Sequence, residues 1–150
     1  MAISLIQLDG IILDHPAKTR DEAIVACGRR LQELGAVKAE YIEKMLTREA
    51  EFSTYLGNEV AMPHGDFEAR NLVEFDQLTL MRLENQVQWS EGKVKLLIGL
   101  AVRESSQVEL LGSLSEILTD PDLYQRLMTS KNPQELLDVL LAGIQPSSHK

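Results

Sequence analysis

An α/β layered domain is what this sequence predicts, and three observations predict it. Helical periodicity occupies both ends of the chain, about residues 19–51 and 107–141. Between them lies a nearly continuous apolar run, Val94–Val102 (VKLLIGLAV), with the composition of a buried central strand. A second run, Gln77–Leu83 (QLTLMRL), sets Leu78 and Leu80 between polar neighbours, the alternation of a strand with one wet face. Helices at both ends of a few central strands make a layered α/β arrangement. At 150 residues the chain has the length of a single domain and is long enough to bury a sizeable core.

The first element is a short apolar strand, Asp9–Asp14 (DGIILD), closed by His15-Pro16, because the residue before proline is pushed towards extended geometry. Thr19 starts a helix with Glu22 three residues on as a capping box. Ala23, Ile24, Cys27, Leu31 and Leu34 form its apolar stripe, and Gly35 ends it. A second helix covers about Ala39–Glu51, with Tyr41, Ile42, Met45 and Leu46 apolar and Arg48-Glu49 near its end. Val60–Met62 reads as a short strand, Glu68–Leu72 as a turn of helix, and Asn85–Glu91 as a connection whose Trp89 is a packing residue. After the apolar strand come helices at about Gln107–Leu118, Pro121–Met128 and Pro133–Leu141. Asp120-Pro121 and Asn132-Pro133 are cap-then-proline starts for the last two. Residues 1–144 are thus expected to form the domain, and Gln145–Lys150 (QPSSHK) a flexible tail. His15 falls in a surface turn and His149 in that tail, which leaves neither a catalytic setting.

Bulk composition excludes several classes of function. With 44% hydrophobic and 25% charged residues the chain has the make-up of a soluble globular protein. A net charge of −8 argues against nucleic-acid binding, because phosphate neutralisation needs clustered Lys and Arg. One cysteine, Cys27, allows no intrachain disulfide and points to a reducing compartment. The N-terminus MAISLIQLDG lacks a basic segment and meets Asp9 before a signal-length apolar stretch develops, and no apolar run approaches membrane-spanning length. A cytoplasmic protein without direct membrane insertion is expected.

The chemistry concentrates in twelve residues, Thr54–Gly65 (TYLGNEVAMPHG), where His64 stands between Pro63 and Gly65 at the end of a short apolar run. Proline fixes φ on one side and glycine lacks a Cβ on the other. Such a site holds an imidazole at a defined edge and leaves room for a partner backbone or a phosphoryl group. Near pH 7 an imidazole with an ordinary pKa of about 6.5 is largely neutral and nucleophilic. The same tripeptide also serves as a plain strand-to-loop corner, since turn chemistry alone accounts for Pro and Gly. His64 and Asp66 lack a nearby second histidine or cysteine, so the ligand count for a metal fails. No nucleophile elbow supports a Ser-His-Asp hydrolase.

Taken together, the paired N-terminal helices, the Arg48-Glu49 at the second helix end, TYLGNEVAMPHG, VKLLIGLAV and the helix beginning QVELLGSLSEIL follow one another as in a known family. From about Ile3 to Gly143 the chain resembles the mannitol/fructose-type EIIA domain of the bacterial phosphoenolpyruvate-dependent sugar phosphotransferase system (PTS). The resemblance implies a single domain with a mixed parallel/antiparallel sheet flanked by helices on both faces. It implies a phosphocarrier that takes a phosphoryl group from the phosphocarrier HPr onto His64. The group then passes to a cysteine of a cognate EIIB domain, itself linked to a membrane EIIC permease. By motif, Arg48 in MLTREA (Met45–Ala50) corresponds to the family's phosphate-contacting arginine, and no cofactor or metal is required. The family's second active-centre histidine corresponds to a position that here reads Gln107.

Phosphoryl transfer between two imidazoles is loose and in line, so the acceptor needs a neutral nitrogen and the site needs preset donors. Arg48 has the planar fork for two phosphate oxygens. From the residues alone, an ion pair to Glu49, Glu51 or another surface acid is its competing role. Thr54 offers a hydroxyl to the same oxygens, although turn formation accounts for it equally well. Gln107 keeps an N–H₂ donor but neither titrates nor carries positive charge. Such a loss typically costs about 10²–10³ in rate, with a neutral substitute recovering part of it. Gln107 also sustains a second reading, a regulatory EIIA-like interaction module that signals PTS phosphorylation state. Docking is expected through an apolar patch that uses Val60 and Met62. The sugar is not legible, because an EIIA in this scheme never touches it.

Overall fold

The structure, a computed structural model, describes residues 5–103 and 106–144, and the side chains of residues 67 and 106–108 lie outside that description. The proposed tail, Gln145–Lys150, is also outside it. The strands are β1 (Ile6–His15), β2 (Tyr55–Gly57), β3 (Val60–Ala61), β4 (Gln77–Gln88) and β5 (Lys93–Ala101). The helices are α1 (Arg20–Glu33), α2 (Glu40–Glu51), α3 (Ser106–Thr119), α4 (Pro121–Thr129) and α5 (Pro133–Gly143), with a 3₁₀ turn at Phe67–Leu72. The strands form one sheet in the order β1-β4-β5-β3-β2. β1–β4 and β3–β5 are parallel, whereas β4–β5 and β2–β3 are antiparallel, so the sheet is mixed.

Side-chain alternation along β4 and β5 divides the core in two. Met81, Leu83, Leu97 and Ala101 face α1 and α2, where they meet Ala23, Ile24, Cys27, Leu31, Tyr41 and Met45. Leu78, Leu80, Leu96, Ile98 and Leu100 face α3–α5 and meet Leu114, Ile117, Leu136 and Leu140. Helices therefore cover both faces. Leu96–Ala101 is free of polar side chains because this part of β5 is buried on both sides, as its sequence predicts.

The caps follow the sequence. Thr19 Oγ1 accepts from Glu22 N–H (3.1 Å), while Glu22 Oε1 accepts from Lys18 N–H (2.9 Å). Asp120 accepts from Asp122 and Leu123 N–H, and Asn132 from Gln134 N–H. Four local differences appear. Gln77–Leu83 has no wet face, because helices cover both sides of β4 there and bury Gln77, Thr79 and Arg82 as well. Asn85–Glu91 is mostly strand: β4 runs on to Gln88, and Trp89 N–H donates to Gly92 carbonyl (2.7 Å) in the hairpin turn to β5. Its polar residues sit on an exposed strand face, which composition alone does not separate from a loop. β2 was not expected, because Gly57, Asn58 and Glu59 interrupt the apolar pattern with a tight turn in which all three have positive φ. Met62 lies just past β3. Among the described residues no helix is long and apolar enough to cross a membrane.

Candidate functional site

His64 follows β3 at the point where that strand has paired with the buried β5. Val60 and Ala61 pair with Leu96 and Leu97, and the chain stays beside β5 as Leu100 N–H donates to Pro63 carbonyl (2.9 Å). His64 itself bridges to Leu100 in parallel register. The imidazole is partly buried, and its Nδ1 lies 2.8 Å from Met62 carbonyl. A carbonyl only accepts, so Nδ1 carries the proton and Nε2 keeps the lone pair. Burial pushes the His64 pKa below its ordinary value, and the Arg48 charge pushes the same way, opposed by the Met62 hydrogen bond and the Glu49 carboxylate. The neutral, nucleophilic form is the one this site favours.

Gly65 has a different reason from the expected one. Its missing Cβ makes room inside the protein: a Cβ there would stand 2.7 Å from Tyr41 Cε1. The Tyr41 hydroxyl accepts from Gly65 N–H (2.8 Å) and donates to Leu100 carbonyl (3.0 Å). Tyr41 on α2 thereby ties the Pro63-His64-Gly65 corner to β5. Asp66 then caps the 3₁₀ turn, accepting from Ala69 N–H (3.0 Å).

Arg48 occupies the last turn of α2. Its Nη1 donates to Phe52 carbonyl (2.5 Å), and its guanidinium carbon lies 5.6 Å from the centroid of the Phe52 ring. No ion pair to Glu49 or Glu51 forms within 4 Å, which removes the competing reading of Arg48 from the described side chains. The fork is held at the surface and acts electrostatically on His64.

Thr54 is buried, and its hydroxyl proton goes to Glu49 Oε1 (2.5 Å). Val60 and Met62 are corrected as docking residues: they are 1% and 2% exposed, because their side chains pack among Leu96, Ile98 and the α3–α5 helices. The large exposed apolar residues near this part of the chain are instead Phe52 (71%) and Leu56 (52%). Gln107 lies in the first turn of α3, and its side chain is outside the described residues. Asn58, with φ 51°, is a turn residue, and Glu59 accepts from Gln86 at the surface (2.5 Å).

Sequence reasoning missed Glu49, which it treated only as an ion-pair partner. Glu49 is 3% exposed and accepts from Thr54 N–H (2.7 Å), Thr54 Oγ1 and Trp89 Nε1–H (3.0 Å). Its signal was its spacing from Tyr41 and Met45, which places all three on the inner stripe of α2. Among the described residues no group of three or more His, Cys, Asp or Glu is arranged to hold a metal ion.

Comparison with known proteins gives this geometry a family. The chain is 31% identical over 140 residues to the mannitol-specific phosphotransferase enzyme IIA component of Halalkalibacterium halodurans, covering 93% of this chain and 97% of that one. Its fold matches a chain in the solved complex of enzyme IIA mannitol and phosphorylated enzyme IIB mannitol from Escherichia coli. The TM-score is 0.84 at 31% identity, covering 92% of this chain and 99% of that chain. The crystal structure of IIA mannitol from Escherichia coli matches with a TM-score of 0.81, also at 31% identity, over 89% of this chain and 97% of that one. The sequence model of the family described as "Phosphoenolpyruvate-dependent sugar phosphotransferase system, EIIA 2" matches residues 4–143, and the chain belongs to that family.

Proposed function

We propose that this protein is a histidine phosphocarrier of a sugar PTS, accepting a phosphoryl group from phospho-HPr on His64 Nε2 and delivering it to a cysteine of an EIIB domain. The observation that carries the reading is the 2.8 Å contact from His64 Nδ1 to Met62 carbonyl. It fixes the tautomer whose lone pair is on Nε2. The Nε2 lone pair forms a bond to phosphorus while the donor's P–N bond breaks, its electron pair returning to the donor imidazole. In the second step a thiolate attacks the same phosphorus and the electron pair of the P–Nε2 bond returns to His64. Family membership supports the overall chemistry, that of a phosphotransferase component, and the occurrence of a related fold in a complex with phosphorylated IIB supports the acceptor.

Arg48 supplies the permanent charge that such a loose transition state needs, with its fork free of carboxylate partners within 4 Å among the described residues. Gln107, at the start of α3, is assigned the neutral N–H₂ donor in place of the family's second histidine. The Thr54 hydroxyl serves Glu49 and is withdrawn from the phosphate role. Docking is assigned to the apolar pair Phe52 and Leu56, which stand on the Arg48 side and on the edge strand β2. Contacts of this transient kind bury less than about 1,200 Å². The reaction is placed in the cytoplasm, in line with the single buried Cys27, and residues 1–144 are taken as the working unit.

Incubation with phosphoenolpyruvate, Enzyme I and HPr, read by intact-protein mass, tests this reading. One acid-labile, alkali-stable phosphate is expected, and it disappears in His64→Ala. Labelling that survives His64→Ala overturns the site. Phosphate that is accepted but never passed to any EIIB moves the protein to the regulatory role.

A further inference from the structure

Among the described residues the buried carboxylate of Glu49 makes no hydrogen bond to His64, yet bonds through Thr54 and Met62 tie the two segments together. Glu49 Oε2 accepts from Thr54 N–H (2.7 Å), and Thr54 carbonyl accepts from Met62 N–H (3.0 Å). Met62 carbonyl in turn faces His64 Nδ1 at 2.8 Å. A second arm fastens the same carboxylate: Thr54 Oγ1 donates to Oε1 (2.5 Å) and Trp89 Nε1 donates to Oε2 (3.0 Å). Three donors from two different elements therefore converge on one carboxylate that is 3% exposed. Buried carboxylates are expensive unless paired, and the described residues give this one no cation within 4 Å.

We propose that Glu49 is a positioning residue for phosphoryl transfer, holding the Met62 carbonyl that fixes the His64 tautomer and placing a negative charge behind the ring. This inference rests on the phosphocarrier reading and deepens it. When Nε2 gives its lone pair to phosphorus, the ring retains its Nδ1 proton and becomes cationic. The Met62 carbonyl accepts from that cation, and the Glu49 carboxylate offsets its charge through space. Geometry alone also predicts a structural effect. Glu49 follows Arg48 on α2, so fastening it to Thr54 and Trp89 sets the register of Arg48 relative to the strand that leads into His64. The charged groups acting on the imidazole are Arg48 and Glu49, both from α2, with opposite sign.

Glu49→Gln keeps the shape and one acceptor oxygen but removes the charge and puts an N–H₂ group where the other oxygen accepts. The decisive experiment is NMR titration of the His64 ring in the full chain, wild type against Glu49→Gln, together with single-turnover transfer from phospho-HPr. His15 and His149 serve as internal controls. The His64 pKa is expected to fall in the variant, the Nδ1–H tautomer to lose population, and transfer to slow about 10²-fold, the scale of a misplaced reacting group. An unchanged His64 pKa, tautomer and rate in folded Glu49→Gln overturns the proposal. If Glu49→Gln does not fold, Thr54→Val removes the Oγ1 donor while leaving the backbone bonds. A partial loss of the tautomer and a slower transfer are then expected, and wild-type values overturn the proposal. Failure of wild type to become phosphorylated on His64 defeats the phosphocarrier reading, whereas the NMR titration still reports the coupling between Glu49 and the ring.

Discussion

On the α1–α2 side of the sheet, buried polar groups are gathered: Tyr41, Glu49, Thr54, Thr79 and Trp89, each with a hydrogen-bond partner. On the α3–α5 side the core is aliphatic, built from Leu, Ile, Val and one Met, with Arg82 at its margin donating to the Leu127 and Ser130 carbonyls at the end of α4. The two layers share β4 and β5 yet meet different demands. An aliphatic layer contributes free energy without direction, because burial scales with area. A polar layer contributes less net stability per contact, but its bonds are directional and fix particular atoms in place. The segment bearing His64 is fixed from the polar side, through Tyr41 to Gly65 and through Thr54 to Met62. The difference teaches that stability and positioning are separable here, and substitutions should separate them.

The largest separation within the site, after His64 itself, is expected from Arg48→Ala. Its side chain bonds to the Phe52 carbonyl and stacks on the exposed Phe52 ring, so folding should be nearly unchanged while transfer slows about 10²–10³-fold. Stopped labelling with phospho-HPr and a thermal melt, run side by side, check this. An unchanged rate would make Arg48 a helix-end residue only.

Next come Tyr41→Phe and Leu114→Ala as a matched pair. Leu114 is fully buried in the aliphatic layer, and its truncation should cost about 2–5 kcal/mol of stability while the folded fraction keeps its transfer rate. Tyr41→Phe leaves Gly65 N–H and Leu100 carbonyl without their partner, at about 1–3 kcal/mol, and should slow transfer even in fully folded protein. The bond from Leu100 N–H to Pro63 carbonyl survives, so the corner loosens without detaching. Equal rates for the two variants, measured well below their melting points, would break the distinction between the layers.

The pH response follows from the direction of the His64 shift. Because burial holds its pKa below the ordinary value, the native state binds its proton later than the unfolded chain as pH falls. Stability from this group is full above about pH 6.5 and is lost as pH drops through that value towards the native pKa. Transfer should likewise stay level from pH 8 to about 6.5 and fall only below the native pKa. A rate profile that bends above pH 7 contradicts the depressed value. The smallest effect is expected for Gln107→His, a severalfold faster transfer or a new acid-side bend, read by the same single-turnover assay. No change would mean that this first-turn position of α3 is not used.

Much of the architecture was legible because it rests on local chemistry. The Thr19, Asp120 and Asn132 caps each satisfy N–H groups within three residues, and the unbroken apolar run of β5 states burial on both faces. The strand end at Gln88 was hidden because Gln86 and Gln88 face outwards, where polar residues fit a strand and a loop alike. His64, Arg48 and the Pro63–Gly65 corner were visible as residue types in a pattern. Their roles depended on partners distant in sequence. Gly65 faces Tyr41, twenty-four residues away, and Glu49 receives Trp89 from forty residues away. Neighbours within a few positions were enough to give the helices, the buried strand and the candidate histidine, His64. Closure of the sheet is what made Val60 and Met62 core, turned Thr54 to Glu49 and left Nε2 as the free nitrogen of His64. Those outcomes turn on which donor meets which acceptor across the sheet, and that pairing exists only once the strands have closed.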